Sequence, residues 1–290
     1  MTEMRYEAPD TLDKAVALLA AANGQARVLA GGTDLVLQIR SGRVQPGLLV
    51  DIKRIPEMTA IVADNGAFRF GAAVTGMELL EHAALARAWP GVIDGVKLIG
   101  SIQVKGRATV GGNVCNASPA ADSVPALIAA GAIANILGPG GKRECRIEDV
   151  LAGPGKTSLA PGEIITSFAL PRRLPRSASA YLRFTPRTEM DIAVVGAGVY
   201  LALDDKGICT DARVALGAVA ERALLVREAA AALIGTKVDA AALARMAAAA
   251  SAACRPIDDK RGTKAFRIEI AGVMARRAAE IALARARENH

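Results

Sequence analysis

Two pairs of adjacent glycines constrain this chain more than anything else in it. Gly31-Gly32 lies within LAGGTDL (Leu29–Leu35) and Gly111-Gly112 within ATVGGNVCNASPAADSVPAL (Ala108–Leu127), and each pair stands beside a threonine and an acid or amide. With no Cβ, such a pair lets the backbone turn through positive φ and lie against a ligand, while successive N–H groups form a nest for an anion. Two nests predict one long, phosphate-containing ligand. The second stretch is polar but poor in charge, presents Thr109, Asn113, Asn116, Ser118 and Asp122, and is flanked by apolar segments. That is an odd surface loop and a reasonable ligand wall.

The 290 residues are 52% apolar, enough for a good core in two domains. Met1–Thr11 carries acids and lacks the apolar centre of a signal peptide, and no apolar run approaches a spanning helix, so a cytoplasmic protein without integral membrane contact is expected. The net charge of +7 is scattered and only 3% of residues are aromatic, which argues against nucleic acid. Cys115, Cys145, Cys209 and Cys254 form no CxxC pair, and the histidines are His82 and His290. Neither a local metal site nor a Ser-His-Asp or Cys-His arrangement follows from them. Any redox group must be borrowed.

Along the chain, Thr11–Ala22 reads as a helix capped by Thr11 and stopped by Asn23-Gly24. Ala26–Ala30, a turn at Gly31–Asp34, a short helix Leu35–Arg40 and a strand Gly47–Ile52 complete a β-turn-α-β unit. Phe68–Gly71 reads as a strand, Thr75–Ala88 as a helix with Thr75 and Glu78 in a capping box, and Gly91–Gly100 as a second helix. Gly112–Pro119 looks too turn-rich for regular structure, before an apolar helix over Asp122–Ala130. Ala132–Leu137 and Ile164–Leu170 read as strands. Pro171–Ser179 is the best linker, and the domain boundary is placed there, at 176/177. Ala193–Leu203 and Arg213–Val219 then form an antiparallel hairpin, and Ala223–Leu233, Ala240–Ala253 and Phe266–Arg285 are helices.

Two further motifs carry bland readings. Gly153-Pro154-Gly155-Lys156-Thr157 ends like a P-loop, but Val150 stands where its first glycine belongs. Gly196-Ala197-Gly198 starts a dinucleotide fingerprint, but Leu201 replaces its third glycine, and a strand packed closely on a neighbour explains it better.

AGGTDL (Ala30–Leu35), LIGSIQVKGRATVGGNVCNASPAADSVPAL (Leu98–Leu127), RTEMDIAVVGAGV (Arg187–Val199), LGAVAERALLVREAAAALIG (Leu216–Gly235) and DDKRGTKAFRIEIAGVMARRA (Asp258–Ala278) together resemble the flavin-binding, or medium, subunit of the molybdenum hydroxylases, the xanthine dehydrogenase and aerobic carbon monoxide dehydrogenase family. The resemblance runs end to end. It implies an α+β protein: an FAD-binding domain of the vanillyl-alcohol-oxidase (PCMH) type over 1–176, made of α/β subdomains of about 1–57 and 58–176, and a C-terminal domain of antiparallel sheet and helices over 177–290.

The resemblance also implies FAD as cofactor, its pyrophosphate gripped between the two turns by Leu29, Ala30, Gly31, Gly32, Thr33 and Asp34 on one side and Thr109, Val110, Gly111, Gly112 and Asn113 on the other. Ser118, Asp122, Ile165 and Arg183 are further contacts, and Asp191 and Ile192 lie near the isoalloxazine. No side chain is a catalytic acid or base, because the flavin carries the electrons. The expected partners are a large molybdopterin subunit and a small [2Fe–2S] subunit in a dimer of heterotrimers, with electrons leaving to a quinone, cytochrome, oxygen, ferredoxin or NAD. A stand-alone reductase on this fold, like the UDP-sugar enoyl reductases, and a flavin-free scaffold are the alternatives.

Overall fold

The computed structural model describes residues 4–187 and 190–289. The chain starts with a parallel sheet: β1 (Arg5–Glu7), helix α1 (Leu12–Ala21), β2 (Ala26–Leu29), α2 (Leu35–Arg40) and β3 (Leu48–Asp51), in strand order β1-β3-β2. Thr11 Oγ1 accepts from Lys14 N–H at the start of α1, whose Ala15, Val16 and Leu19 form the buried face. Asn23 and Gly24, both at positive φ, end it as the sequence predicts.

A five-stranded antiparallel sheet follows. After α3 (Pro56–Thr59), β4 (Ile61–Asp64) and β5 (Ala67–Gly71), the chain leaves the sheet for a run of helices: α4 (Gly76–Glu81), α5 (Ala83–Ala88), α6 (Pro90–Lys97), α7 (Ile102–Lys105), α8 (Val110–Asn116) and α9 (Ser123–Ala130). It returns through β6 (Ile133–Gly138), β7 (Gly141–Arg146), α10 (Ile147–Val150), the small hairpin β8 (Leu151–Gly153) and β9 (Lys156–Thr157), and β10 (Ile164–Leu170), giving the order β4-β5-β10-β6-β7. The P-loop-like Gly153–Thr157 is thus the turn and second strand of a hairpin.

The last sheet is antiparallel: β11 (Ser177–Phe184), β12 (Val195–Leu203), β13 (Cys209–Gly217) and β14 (Leu224–Leu225), followed by α11 (Arg227–Ala231), α12 (Ala240–Ala253) and α13 (Lys264–Glu288). Every residue of β12 is buried, because both faces of this sheet are covered. Tyr200 and Ala202 point into the core shared with α6 and α9, while Val199, Leu201 and Leu203 point into the core built by α11, α12 and α13, the period of two that a strand imposes. Small residues permit the approach: a Cβ on Gly198 would sit 2.5 Å from the Pro125 carbonyl oxygen, so the close-packing reading of Gly196–Gly198 holds. Asp94 of α6 accepts from Arg285 of α13 at 2.6 and 3.2 Å and from Tyr181 N–H, tying the first two-thirds of the chain to the last helix.

Several expected elements differ. Gly112–Pro119 is not irregular: Thr109 caps α8, and Ala117 in the left-handed region ends it. The helix expected over Thr75–Ala88 keeps its capping box but breaks at His82, whose Nδ1 accepts from Leu85 N–H and starts α5. The linker expected to reach Ser179 stops at Arg176, since Ser177 and Ser179 are strand residues and fully buried. The helix expected from Ala223 begins at Arg227, its first residues being taken by β14 pairing with β13. β4, β7 and β11 carry no strong sequence signal.

Candidate flavin site

A cavity of about 1200 Å³ opens between the parallel sheet and the second lobe. One wall is the turn Ala30–Asp34 with α2; the other is Thr109, Gly111, Gly112 and Asn113 at the start of α8, closed off by Ser118, Ile164 and Ile165. The two glycine pairs, 80 residues apart in sequence, therefore face one space.

The first turn is a nest. Gly32 has φ +75°, and among the described residues none accepts a hydrogen bond from the N–H groups of Gly31, Gly32, Thr33 or Asp34. Four unpaired donors in succession at a cavity wall suit an anion. Asp34 begins α2 without a side-chain cap, and burial raises its carboxyl above the usual range.

The second turn works differently from the sequence expectation. Thr109 Oγ1 accepts from Gly112 N–H at 2.9 Å and Thr109 O from Asn113 N–H at 3.0 Å, so the Gly112 donor is already used in capping α8. Asn113 Oδ1 in turn accepts from Ser123 Oγ at 2.7 Å. The glycines are explained by backbone approach: a Cβ on Gly31 would lie 2.0 Å from the Arg107 carbonyl oxygen, and one on Gly111 2.3 Å from that of Ala72. Gly112 is less crowded, the one near neighbour of a Cβ there being a side-chain atom, Thr109 Oγ1 at 3.1 Å.

Of the residues singled out from sequence, Ala30, Gly31, Gly32, Thr33, Asp34, Thr109, Gly111, Gly112, Asn113, Asn116, Ser118 and Ile165 line the cavity. Leu29 and Val110 sit behind it. Asp122 and Arg183 are brought onto each other: Arg183 Nη1 donates to Asp122 Oδ2 at 2.7 Å, to Leu98 O at 3.0 Å and to Asp191 O at 3.3 Å, while Tyr181 Oη donates to the other Asp122 oxygen at 2.8 Å. This pair is almost fully buried and joins α9 to β11 beside the cavity rather than lining it. It also holds the Asp191–Ile192 loop next to Leu98 and hence to Ile99, which does line the cavity. Sequence reasoning missed Gln38, whose Nε2 donates to Asn116 Oδ1 at 3.1 Å and so links the two walls; the partners are 78 residues apart and no local pattern relates them.

Burial pushes the Asp122 carboxyl up to about 6, even against the neighbouring guanidinium. That is above the ordinary carboxylate value of about 3.9, so between these limits the folded chain binds a proton that the unfolded chain does not. The contribution of Asp122 to stability is therefore largest below pH ~4 and is lost as pH rises through about 6, by about 3 kcal/mol in all. Asp122→Asn should flatten that part of the profile, read as the difference in denaturant unfolding free energy between variant and parent from pH 4 to 7. Parallel profiles would contradict the assignment.

Fold and cavity together define a protein with a nucleotide-sized cavity, walled on one side by an anion nest, between a parallel and an antiparallel lobe. The family described as the FAD binding domain in molybdopterin dehydrogenase matches residues 2–173, and the CO dehydrogenase flavoprotein C-terminal domain matches 180–282. The chain belongs to the FAD-binding medium subunits of the molybdenum hydroxylases. It is 33% identical over 283 residues to the carbon monoxide dehydrogenase medium chain of Afipia carboxidovorans, covering 97% of each chain. It is 30% identical to a putative xanthine dehydrogenase FAD-binding subunit of Escherichia coli, over 97% of this chain and 96% of that one. The structure of Cu,Mo-CO dehydrogenase in its cyanide-inactivated form contains a chain that matches with a TM-score of 0.93 at 33% identity, over 97% of this chain and 98% of that one. The residues present fit the family's cofactor: four free N–H donors face a space large enough for a dinucleotide.

Proposed function

We propose that this subunit holds FAD with its pyrophosphate against the Gly31–Asp34 nest and the Thr109–Asn113 turn, and that it works beside a large molybdopterin subunit and a small [2Fe–2S] subunit, as a dimer of heterotrimers in the cytoplasm. The single observation that carries the reading is the run of four unpaired N–H groups on a cavity wall whose opposite wall is the second glycine turn. When bound, the flavin supplies the exchange of electrons between iron–sulfur clusters and an external acceptor. The chain's own residues bind and orient. The nest meets the phosphate charge with backbone dipoles, Gln38 and Asn116 fix the distance between the walls, and Ile99 and Ile165 give the cavity apolar sides. Arg183, through Leu98 O and Asp191 O, places the Asp191–Ile192 loop where the reactive ring edge belongs in this reading. The domain division at 176/177 is proposed with it, the first domain carrying the cofactor and the second pressing β12 and β13 onto α9. Similarity along nearly the whole chain to subunits of multi-subunit dehydrogenases supports this over a stand-alone reductase or a scaffold.

Gly112→Val tests the site. Its Cβ would press on one side-chain atom, the capping Thr109 Oγ1 at 3.1 Å, and on no backbone outside its own helix, so the fold should survive at a cost of about 1–3 kcal/mol, while FAD affinity should fall at least about tenfold as the side chain fills ligand space. Flavin titration and thermal unfolding of the apo-protein separate the two effects. A parent chain that takes up no FAD in excess cofactor would sink the reading itself.

A further inference from the structure

The nest has a support behind it that belongs to neither glycine motif. Lys53, two residues past β3, reaches over the end of the parallel sheet, and its Nζ donates to the Ala30 carbonyl oxygen at 3.0 Å. The ammonium is held there by Asp51, whose Oδ1 accepts from Lys53 Nζ at 2.7 Å and from Lys53 N–H at 3.0 Å. Asp51 is buried and is fixed in turn by Tyr6, whose hydroxyl donates to Oδ2 at 2.6 Å. Its carboxyl is subject to burial, which pushes its pKa up, but the Lys53 and Tyr6 hydrogen bonds outweigh this and hold it below the usual range, so the carboxylate stays charged beneath the ammonium.

The geometry bears on the cavity through one peptide unit. In a planar trans peptide the C=O and the following N–H point in opposite directions. The unit whose oxygen Lys53 binds is Ala30–Gly31, and its N–H is the first of the four unpaired donors. A cation on the oxygen fixes the plane of that peptide and polarises it, which strengthens the donor on the far side. It also places a positive charge behind an anion site otherwise built from backbone dipoles.

We propose that Lys53 is a positioning residue for the cofactor pyrophosphate: by binding Ala30 O it aims and polarises the Gly31 N–H, and Asp51 and Tyr6 hold it in place. The proposal rests on the reading that Gly31–Asp34 receives the pyrophosphate.

The test compares FAD with riboflavin, which has the same ring and no phosphate, on the full chain and on Lys53→Met, by quenching of flavin fluorescence, with thermal unfolding of each apo-protein. The expected result is a loss of FAD affinity of about tenfold in Lys53→Met, no change for riboflavin, and recovery of FAD affinity in Lys53→Arg, which keeps a charged donor. A weaker dependence of FAD binding on salt should accompany the loss. If Lys53→Met does not fold, Lys53→Gln, a neutral donor, takes its place with the same expectation. Equal losses for both flavins would make Lys53 a purely structural residue and overturn the proposal. Unchanged FAD affinity in a parent that clearly prefers FAD would overturn it while leaving the nest reading standing. A parent chain with no preference for FAD over riboflavin would remove the nest reading and the proposal with it.

Discussion

Gly31→Ala is expected to destabilise the apo-protein by at least about 3 kcal/mol, a drop of about 6–12 °C in the unfolding midpoint, and to leave it without bound flavin. A single methyl group does this because of where it lands: 2.0 Å from Arg107 O, 2.7 Å from Arg107 C and 2.9 Å from Ala108 Cα. All three are backbone atoms, so no side chain can swing aside. The Arg107–Ala108 peptide is itself pinned. Arg107 N–H and Ala108 N–H both donate to Val104 O, at 3.0 and 2.7 Å, and Ala108 O accepts from Gly76 N–H at 2.8 Å. On the other side, the bond from Lys53 holds Ala30. Relief requires the two turns to part, and parting them removes one wall of the cavity. Flavin absorbance per chain and a thermal melt of the apo-protein are the measurements. An alanine variant that keeps parental flavin content would show that the turns separate freely and that their contact is not what shapes the site.

The glycine pairs were thus legible as the centre of the molecule, but their physical reason was only partly so. Sequence alone offers ligand approach as the explanation. In the structure Gly31 and Gly111 are glycine because another stretch of backbone lies against them, whereas Gly112, which lines the cavity, has only the Thr109 hydroxyl near. Such contacts between residues far apart in sequence leave no local trace. Elements set by local chemistry were readable: the Thr11 cap, the Thr75–Glu78 capping box, the antiparallel hairpin of β12 and β13. β11 was not, because Ser-Ala-Ser-Ala looks like a loop until Ser179 Oγ is seen to accept from Gly91 N–H inside a packed interface. The same holds for α8, where small and polar residues hide a helix that Thr109 starts. The Asp122–Arg183 pair shows the limit for side chains: both residues were legible as important, and only their 2.7 Å contact shows that they serve each other.

That pair carries the second large effect. Asp122→Ala should destabilise the chain by about 3–5 kcal/mol at pH 7, far more than Arg183→Met. The asymmetry follows from what each partner can do when left alone. Arginine keeps its charge at any pH a protein survives, so without Asp122 a guanidinium that is only 5% exposed is left with two carbonyl oxygens as its partners. Tyr181 Oη loses its acceptor in the same step. Aspartate can neutralise: its carboxyl already titrates at about 6, so removal of Arg183 needs only the uptake of one proton, at modest cost near neutral pH. The double variant Asp122→Ala, Arg183→Met leaves no buried charge, with Tyr181 Oη without its acceptor in both Asp122 variants, and should recover most of the loss, so the cycle should be strongly non-additive. Urea unfolding of the four proteins measures it. The outcome that would sink this account is Arg183→Met as the worse single variant. That would mean the carboxylate, and not the guanidinium, is the charge the interface between α9 and β11 cannot leave unpaired.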